Sequence, residues 1–350
     1  MSVLNLNPQT IKQLKRFRSI KRGYWSAILL AVLLALCLVA ELLVNSRALM
    51  VSYEGEWYFP TYAAMNPGTT FGLDYAYETN YRELRQTFEE EDEGNWVLMP
   101  PVPYNAFEND LRIGSYPPAP PSFEDQHYLG TDTTGRDIVA RLVYGFRIAI
   151  AFSGLLLTFN YVAGIIIGCA MGYFGGAFDL LFQRVIEIWS NIPFLYVIMI
   201  VASVVVPSFL TLVIVMAALG WMQLTWNMRT STYKEKGREY VSAAQALGAG
   251  NVRIIGSHIL PNTIAVIVTF VPFSIASGIT FLTALDYLGF GLPPPTPSWG
   301  ELLSQGTNQL QAPWIVTSVV VAMVIVLLMV TYVGEAIREA FDPKQFTYYE

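Results

Sequence analysis

Two histidines and two cysteines in 350 residues leave this chain poor in side chains that bind metals or attack substrates. His127 stands near Asp132 and Asp137, but with no cysteine and no second histidine nearby the group lacks the ligand set of a metal centre. Cys37 and Cys169 fall inside apolar stretches and imply no disulfide framework. No G-x-x-x-x-G-K-[ST] run occurs, so the chain has no phosphate cradle with which to hydrolyse a nucleotide itself. Asp179, Arg184 and Glu187 lie close together at the edge of an apolar stretch, where opposite charges lower their burial cost by pairing. We read them as structural. No catalytic, cofactor-binding or metal-binding residue is expected.

The remaining candidates are conformational. Arg238 to Gly248 is rich in helix formers and ends in a glycine, the natural C-terminal cap. Val241, Ala244, Leu247 and Gly248 share one helix face by their spacing, and that face is small. Such a face lets a cleft of another protein approach the backbone; the alternative is a helix lying on the bilayer interface. Pro261 suits the opening turn of a following helix. Earlier in the chain, Gly130 and Gly135 permit turn geometries closed to other residues, and Thr131 and Asp132 can accept from free backbone donors. That stretch reads as a turn capping the amphipathic helix Ile138 to Arg147.

These segments have to be positioned by a membrane protein. Hydrophobic residues make up 53% of the chain and charged ones 14%, and the mean hydropathy is +0.41. A bilayer core needs about 20 apolar residues in helix. Six runs qualify: Tyr24 to Val44, Ile148 to Met171, Ile188 to Val206, Phe209 to Met228, Ile264 to Leu285 and Ile315 to Val333. Lys12, Lys15, Arg16, Arg18, Lys21 and Arg22 precede the first, which places residues 1–23 in the cytoplasm as a basic amphipathic N-terminus. A cleaved signal peptide shares this pattern, but the run is long and no small-x-small site follows. Alternation then puts the basic loop 229–261 inside, the acidic segment 45–146 outside and the tail 344–350 inside, with residues 147–343 as a five-helix core. Gly154, Gly164 and Gly168 have helix-packing spacing. Pro193 and Pro272 are expected to bend their helices. The long external segment carries aromatic and proline punctuation, and its acidic run Glu89 to Glu93 reads as a solvated loop tip, with docking to an external partner or a cationic solute as the alternative.

Several short stretches carry a family resemblance. Ala243-Ala244, then Gly248 and Ile259-Leu260-Pro261-Asn262, resemble the EAA loop of bacterial ABC importer permeases, whose helix docks on the ATPase subunit. Ser242 stands where an acid is frequent, and His258 with Leu260 and Pro261 resembles the peptide and nickel importer branch. Leu129-Gly130-Thr131-Asp132, Gly135-Arg136-Asp137, Tyr144-Gly145, Gly172-Tyr173-Phe174-Gly175-Gly176, Leu288-Gly289-Phe290-Gly291 and Pro297-Ser298-Trp299-Gly300 are similar to stretches of the same branch. Trp57-Tyr58-Phe59-Pro60 and Asn95-Trp96-Val97-Leu98 resemble the Yej-type permeases of oligopeptide and microcin C import.

The resemblance implies an all-α membrane protein of six helices in the type I permease arrangement, with a long irregular extracytoplasmic segment after the first. It implies a coupling helix built from Glu239, Tyr240, Val241, Ser242, Ala243, Ala244, Leu247 and Gly248, with His258 and Pro261 closing the loop. The implied partners are a second related permease, cytoplasmic ABC ATPase domains binding ATP and Mg, an extracytoplasmic peptide-binding protein and membrane lipid, with no nucleic acid. The bacterial inner membrane is the implied location, and oligopeptides the solute, with nickel chelates as the alternative. An ion-driven transporter would need paired acids at membrane depth, and a membrane enzyme a Ser-Lys, Asp-Asp or His-metal group there; the spans offer little of either.

Overall fold

The computed structural model describes residues 8–111 and 116–341; the expected tail 344–350 and the first seven residues of the expected N-terminus lie outside the described residues. Helices dominate. In chain order come α1 (Pro8–Ser19), α2 (Lys21–Leu38), the short α3 (Ala40–Leu43), β1 (Met50–Tyr53), β2 (Glu56–Tyr58), α4 (Tyr81–Glu91), β3 (Trp96–Leu98), α5 (Ile138–Phe174), α6 (Gly176–Ser190), α7 (Phe194–Val204), α8 (Phe209–Gly220), α9 (Met222–Lys236), α10 (Glu239–Ala246), the single turn α11 (Asn251–Arg253), α12 (Leu260–Tyr287), α13 (Trp299–Asn308) and α14 (Pro313–Phe341).

Among the described residues, four helical runs are long and apolar enough to cross a membrane, namely Lys21–Leu38, Ile138–Phe174, Asn251–Tyr287 and Pro313–Phe341. The third and fourth expected spans are each broken. Between α6 and α7 the axis turns by 68°, and between α8 and α9 by 40°, so the number reaches six only if each bent pair is one span. Pro193 explains the first break: it precedes α7 at φ −65° and ψ 111°, an extended conformation, and its ring cannot continue the preceding helix. It therefore terminates a helix where an internal bend was expected. At the second break Gly220 presses on Asn160, whose amide nitrogen would lie 2.6 Å from an added Cβ. Pro272, by contrast, sits inside an uninterrupted α12.

By internal contacts the chain forms two compact units. One takes the chain up to Leu30, Ile150–Leu282 and the chain from Val326; the other takes Ala31–Ala149 and Thr283–Ile325. In the first unit, glycines four residues apart on α5 seat α9 directly on its backbone. A Cβ at Gly164, Gly168 or Gly172 would lie 2.9 Å from the Leu224 Cβ, 2.6 Å from the Thr225 carbonyl oxygen and 2.5 Å from the Arg229 carbonyl oxygen, respectively. Gly154, expected in the same role, has nothing within 4 Å; Gly172 takes the third place. Asp179 also departs from expectation. Its carboxylate receives the Arg229 guanidinium at 2.5 and 2.6 Å, while Arg184 pairs with Glu187 in the open.

In the second unit, the segment expected to be irregular contains an antiparallel sheet, ordered β2-β1-β3, so the all-α expectation needs correction there. Glu54 and Gly55 both take positive φ, 50° and 81°, the two-residue turn that matches strand twist in a hairpin. Val51 faces Tyr58 and Val97, and packs with Phe71, Tyr81, Leu84 and Phe88 in one core. Tyr81, Leu84 and Phe88 recur at helix spacing along α4. Ser52 lies between Trp57 and Trp96 on the other face, where both indoles are exposed. The acidic run is the exposed last turn of α4 and its left-handed cap, Asp92, rather than a free loop tip.

Candidate functional site

The loop between α9 and α12 is built around a tyrosine. Tyr173, at the end of α5, is buried in a cluster with Val241, Ala244, Ile254 and Ile259. Its hydroxyl donates to Asn251 Oδ1 at 3.0 Å and receives the Gln245 amide at 3.4 Å, and the Lys236 ammonium lies 5.6 Å from its ring centre. A clasp of this kind fixes α10 to the membrane helices by apolar contact and by polar contacts at the rim. The Val241–Ala244 face, expected to await a partner, is thus turned onto the chain's own Tyr173. A small face seats its own protein as readily as a foreign one, which is why spacing alone could not decide.

What α10 leaves open is its other side. Glu239, Tyr240, Ser242 and Ala243 are exposed, and Leu247 and Val252 are 88% and 87% exposed, a pair of bare apolar side chains flanking Gly248. Gly248 ends the helix by geometry: φ is +79°, its N–H reaches the Gln245 carbonyl at 2.9 Å, and the Ala249 N–H reaches the Ala244 carbonyl at 3.0 Å. These two bonds satisfy carbonyls that a helix end leaves unpaired. Tyr240 donates to Glu235 at 2.8 Å, tying α10 back to α9.

Beyond Val252 the chain does not start a fresh helix at Pro261, as expected. The path is helical from Asn251 onward and contains a wide π turn over Ile254–Ile259. Proline clashes with the carbonyl four residues back in an α-helix, and the wide turn makes room directly ahead of Pro261. It also puts Ile254 and Ile259, five residues apart, into the same buried cluster; an α-helix would set them about 140° apart. His258 is half-buried, and its carbonyl receives the Asn262 amide at 2.7 Å. The two helices joined by this loop, α9 and α12, are also two walls of a cavity of about 530 Å³, completed by α5, α8 and Phe194.

A second assembly unites the stretches around residue 130 and residue 300. Asp132 Oδ1 accepts from the Thr134 and Arg136 amides at 2.8 and 3.0 Å, and its Oδ2 from Arg136 Nε at 2.7 Å. Arg136 continues to Glu301 at 2.8 Å, and Glu301 also pairs with Arg141. The four charges cancel in a buried site, Arg141 and Asp132 being fully covered. Trp299 donates to the Leu142 carbonyl at 2.9 Å and stacks on Phe146, while Gly145 gives it space. The cap of α5 is Asp137, which accepts from the Ala140 N–H at 2.8 Å; the expected capping residues Thr131 and Asp132 instead shape the turn before it. Asp137 also holds His127, whose Nδ1 lies 2.8 Å away, with Asp110 3.6 Å from Nε2. Burial alone would push the His127 pKa down, but hydrogen bonds to and charges of Asp110 and Asp137 outweigh it and raise it.

Sequence reasoning missed Tyr173, Arg141 and Glu301 as the pivots of these two assemblies. The only available signal was that each stands in or beside a stretch already singled out.

Residues 164–347 match the family described as binding-protein-dependent transport system inner membrane component. The inner membrane ABC transporter permease protein YejE of Escherichia coli (strain K12) is 41% identical over 342 residues, 97% of this chain and 98% of the relative. A peptidoglycan transport system permease protein YejE of Agrobacterium fabrum is 37% identical over 97% of this chain and 94% of its own length. The oligopeptide transport system permease protein OppC of Haemophilus influenzae is 31% identical over 65% of this chain and 73% of its own. With a multi-pass helical architecture and a match across more than half of its length, the chain belongs to the binding-protein-dependent inner membrane permeases of ABC transporters.

Proposed function

We propose that this chain is one of two channel-forming subunits of an ATP-driven importer that carries oligopeptides, peptidoglycan fragments or microcin C-type peptides among them, into the cytoplasm. The observation that carries the reading is the anatomy of α10: clasped on one side by Tyr173, bare on the other at Leu247 and Val252, and joined at its two ends to helices that wall one cavity. A partner that moves α10 moves both walls. The relatives' names support the solute class, and counting each bent pair as one span is consistent with six crossings in the type I arrangement. The basic flank of α2 and the basic loop 229–261 support an orientation with both termini in the cytoplasm and the sheet-bearing segment outside.

The partners are a second related permease, ABC ATPase domains that bind ATP and Mg themselves and dock against Glu239, Tyr240, Ser242, Ala243 and Leu247, and a peptide-binding protein on the external side. Val241 and Ala244 hold the coupling helix to its own chain, Gly248 ends it, and His258 and Pro261 close the loop. The break at Pro193 gives the path a place to bend, while Pro272 lies within the unbroken α12.

The test is Gly248→Glu in the complete importer. A left-handed non-glycine residue costs about 1–2 kcal/mol, a local strain that leaves insertion intact, while a bulky acid beside Leu247 blocks docking. The chain should accumulate normally and tripeptide uptake should vanish; normal uptake would remove α10 from the coupling role.

A further inference from the structure

Helix α1 carries the cations Lys12, Lys15, Arg16 and Arg18 and no acid in its 12 residues. At about 100° per residue, Ile11, Leu14 and Phe17 share an arc of about 120°, and Lys12, Lys15 and Arg16 fill the opposite side. The apolar arc is bare. Leu14 is 61% exposed and Ile11 40%, and Phe17 is half-buried. Arg18 rises from the edge of that arc, and its long side chain carries the guanidinium to 5.8 Å from the centre of the Tyr24 ring.

This helix is not the inner end of the span α2. The ladder breaks at Ile20, which belongs to neither helix and whose N–H reaches three residues back, to the Phe17 carbonyl at 3.2 Å. Tyr24 and Trp25 follow at once, packed edge to face at 5.8 Å, with Trp25 60% exposed. Aromatic rings at the start of a span mark the headgroup level of a bilayer, so the break falls where water meets lipid. A bare apolar arc starting at that depth, backed by an all-basic polar side, is the pattern of helices that lie in an anionic membrane surface.

The junction is also fixed to the far end of the chain. Gly23 lets α2 lie on α14, where an added Cβ would meet the Tyr332 carbonyl oxygen at 2.9 Å, and Arg22 pairs with Glu335 at 3.6 Å. Resting on the cytoplasmic orientation proposed above, we infer that α1 lies in the plane of the inner leaflet and docks on anionic lipid headgroups. Ile11, Leu14 and Phe17 dip among the acyl chains, the four cations meet the phosphates, and the seat at Gly23 hands that anchorage to the inner ends of α2 and α14.

The experiment places an environment-sensitive fluorophore on Leu14→Cys in the complete importer; Cys37 and Cys169 are both buried. The importer goes into nanodiscs of neutral phosphatidylcholine, with or without about one-third anionic phosphatidylglycerol. A nitroxide-bearing lipid and aqueous iodide serve as quenchers. The ratio of lipid to iodide quenching should be about tenfold higher in anionic than in neutral discs. It should return to the neutral-disc value when Lys12, Lys15, Arg16 and Arg18 are all changed to Gln. Added salt should lower it in the unsubstituted helix as well, which keeps the test open should the fourfold variant fail to accumulate. Equal shielding in both lipids would overturn the recognition of charge, and equal access to iodide in both would overturn the docking. Shielding that vanishes when the ATPase is left out would overturn it in favour of a protein partner. Orientation is read separately, by a membrane-impermeant maleimide on Gln13→Cys, which should react in inside-out vesicles and not in right-side-out ones. The reverse pattern would overturn the cytoplasmic orientation, whatever the quenching shows, and the assignment to the inner leaflet with it.

Discussion

The buried charge cluster of Arg136, Arg141, Asp132 and Glu301 makes a quantitative prediction. Arg141 is fully covered and Glu301 is 16% exposed at its side chain, so neither charge is met by bulk water when its partner is removed. Breaking a buried pair on one side costs about 3–5 kcal/mol, because a charge is left uncompensated. Glu301→Gln leaves the cluster with one excess positive charge, and Arg141→Met leaves it with one excess negative charge. Each should therefore destabilise the unit by about 3–5 kcal/mol. The double variant leaves Arg136 and Asp132 as a closed pair at 2.7 Å, with no orphan. Its cost should fall short of the sum of the singles by at least about 2 kcal/mol. The assay is unfolding of the purified chain in detergent micelles by added SDS, followed through tryptophan fluorescence. Trp299 and Trp314 report on the same unit, since they donate to Leu142 and Thr131. Additivity within about 0.5 kcal/mol would refute the reasoning, because it would mean that the four charges do not act as one neutral group.

The helix seat at Gly168 and the clamp on His127 each predict a further outcome. Gly168→Leu places a Cβ 2.6 Å from the Thr225 carbonyl oxygen, which forces α5 and α9 apart, so the variant should accumulate poorly and lose uptake; an immunoblot at wild-type level with full uptake contradicts the seat. For His127 the folded pKa lies above the ordinary value of 6.5, so its contribution to stability is complete below that value and is lost as pH rises through the folded pKa. Thermal unfolding should therefore show a fall in stability from about pH 6.5 upward that His127→Gln abolishes, and a pH profile identical in the two proteins would dismiss the Asp110–His127–Asp137 clamp.

Local rules made some of this legible in the sequence and long-range contacts hid the rest. Gly248 was readable because a helix that runs out of helix formers at a glycine has few other ways to end. Gly164 and Gly168 were readable from spacing, but Gly154 has the same type and faces open space; spacing gives the candidate face and not its occupant. Tyr173 lies 68 residues before Val241 by number, and Arg141 160 residues before Glu301, separations over which no periodicity carries information. The sheet escaped notice because its strands are three or four residues long, too short for alternation to show. Val241 and Ala244 form one small face by spacing, and burial against Tyr173 within the chain satisfies that pattern as fully as a partner would.

The wide turn at Ile254–Ile259 has a consequence for how this chain tolerates change. A turn closed five residues back holds one residue more than an α-helical turn, so the segment behaves as a single-residue insertion already absorbed. In an ordinary helix an insertion rotates everything downstream by about 100°, which would swing Asn262 and every later position of α12 away from their neighbours. Here the surplus is confined to six residues, and the face that α12 presents stays in frame with Tyr173 and α9. The loop can thus give up one residue at this point while the membrane helix behind it keeps its rotational setting.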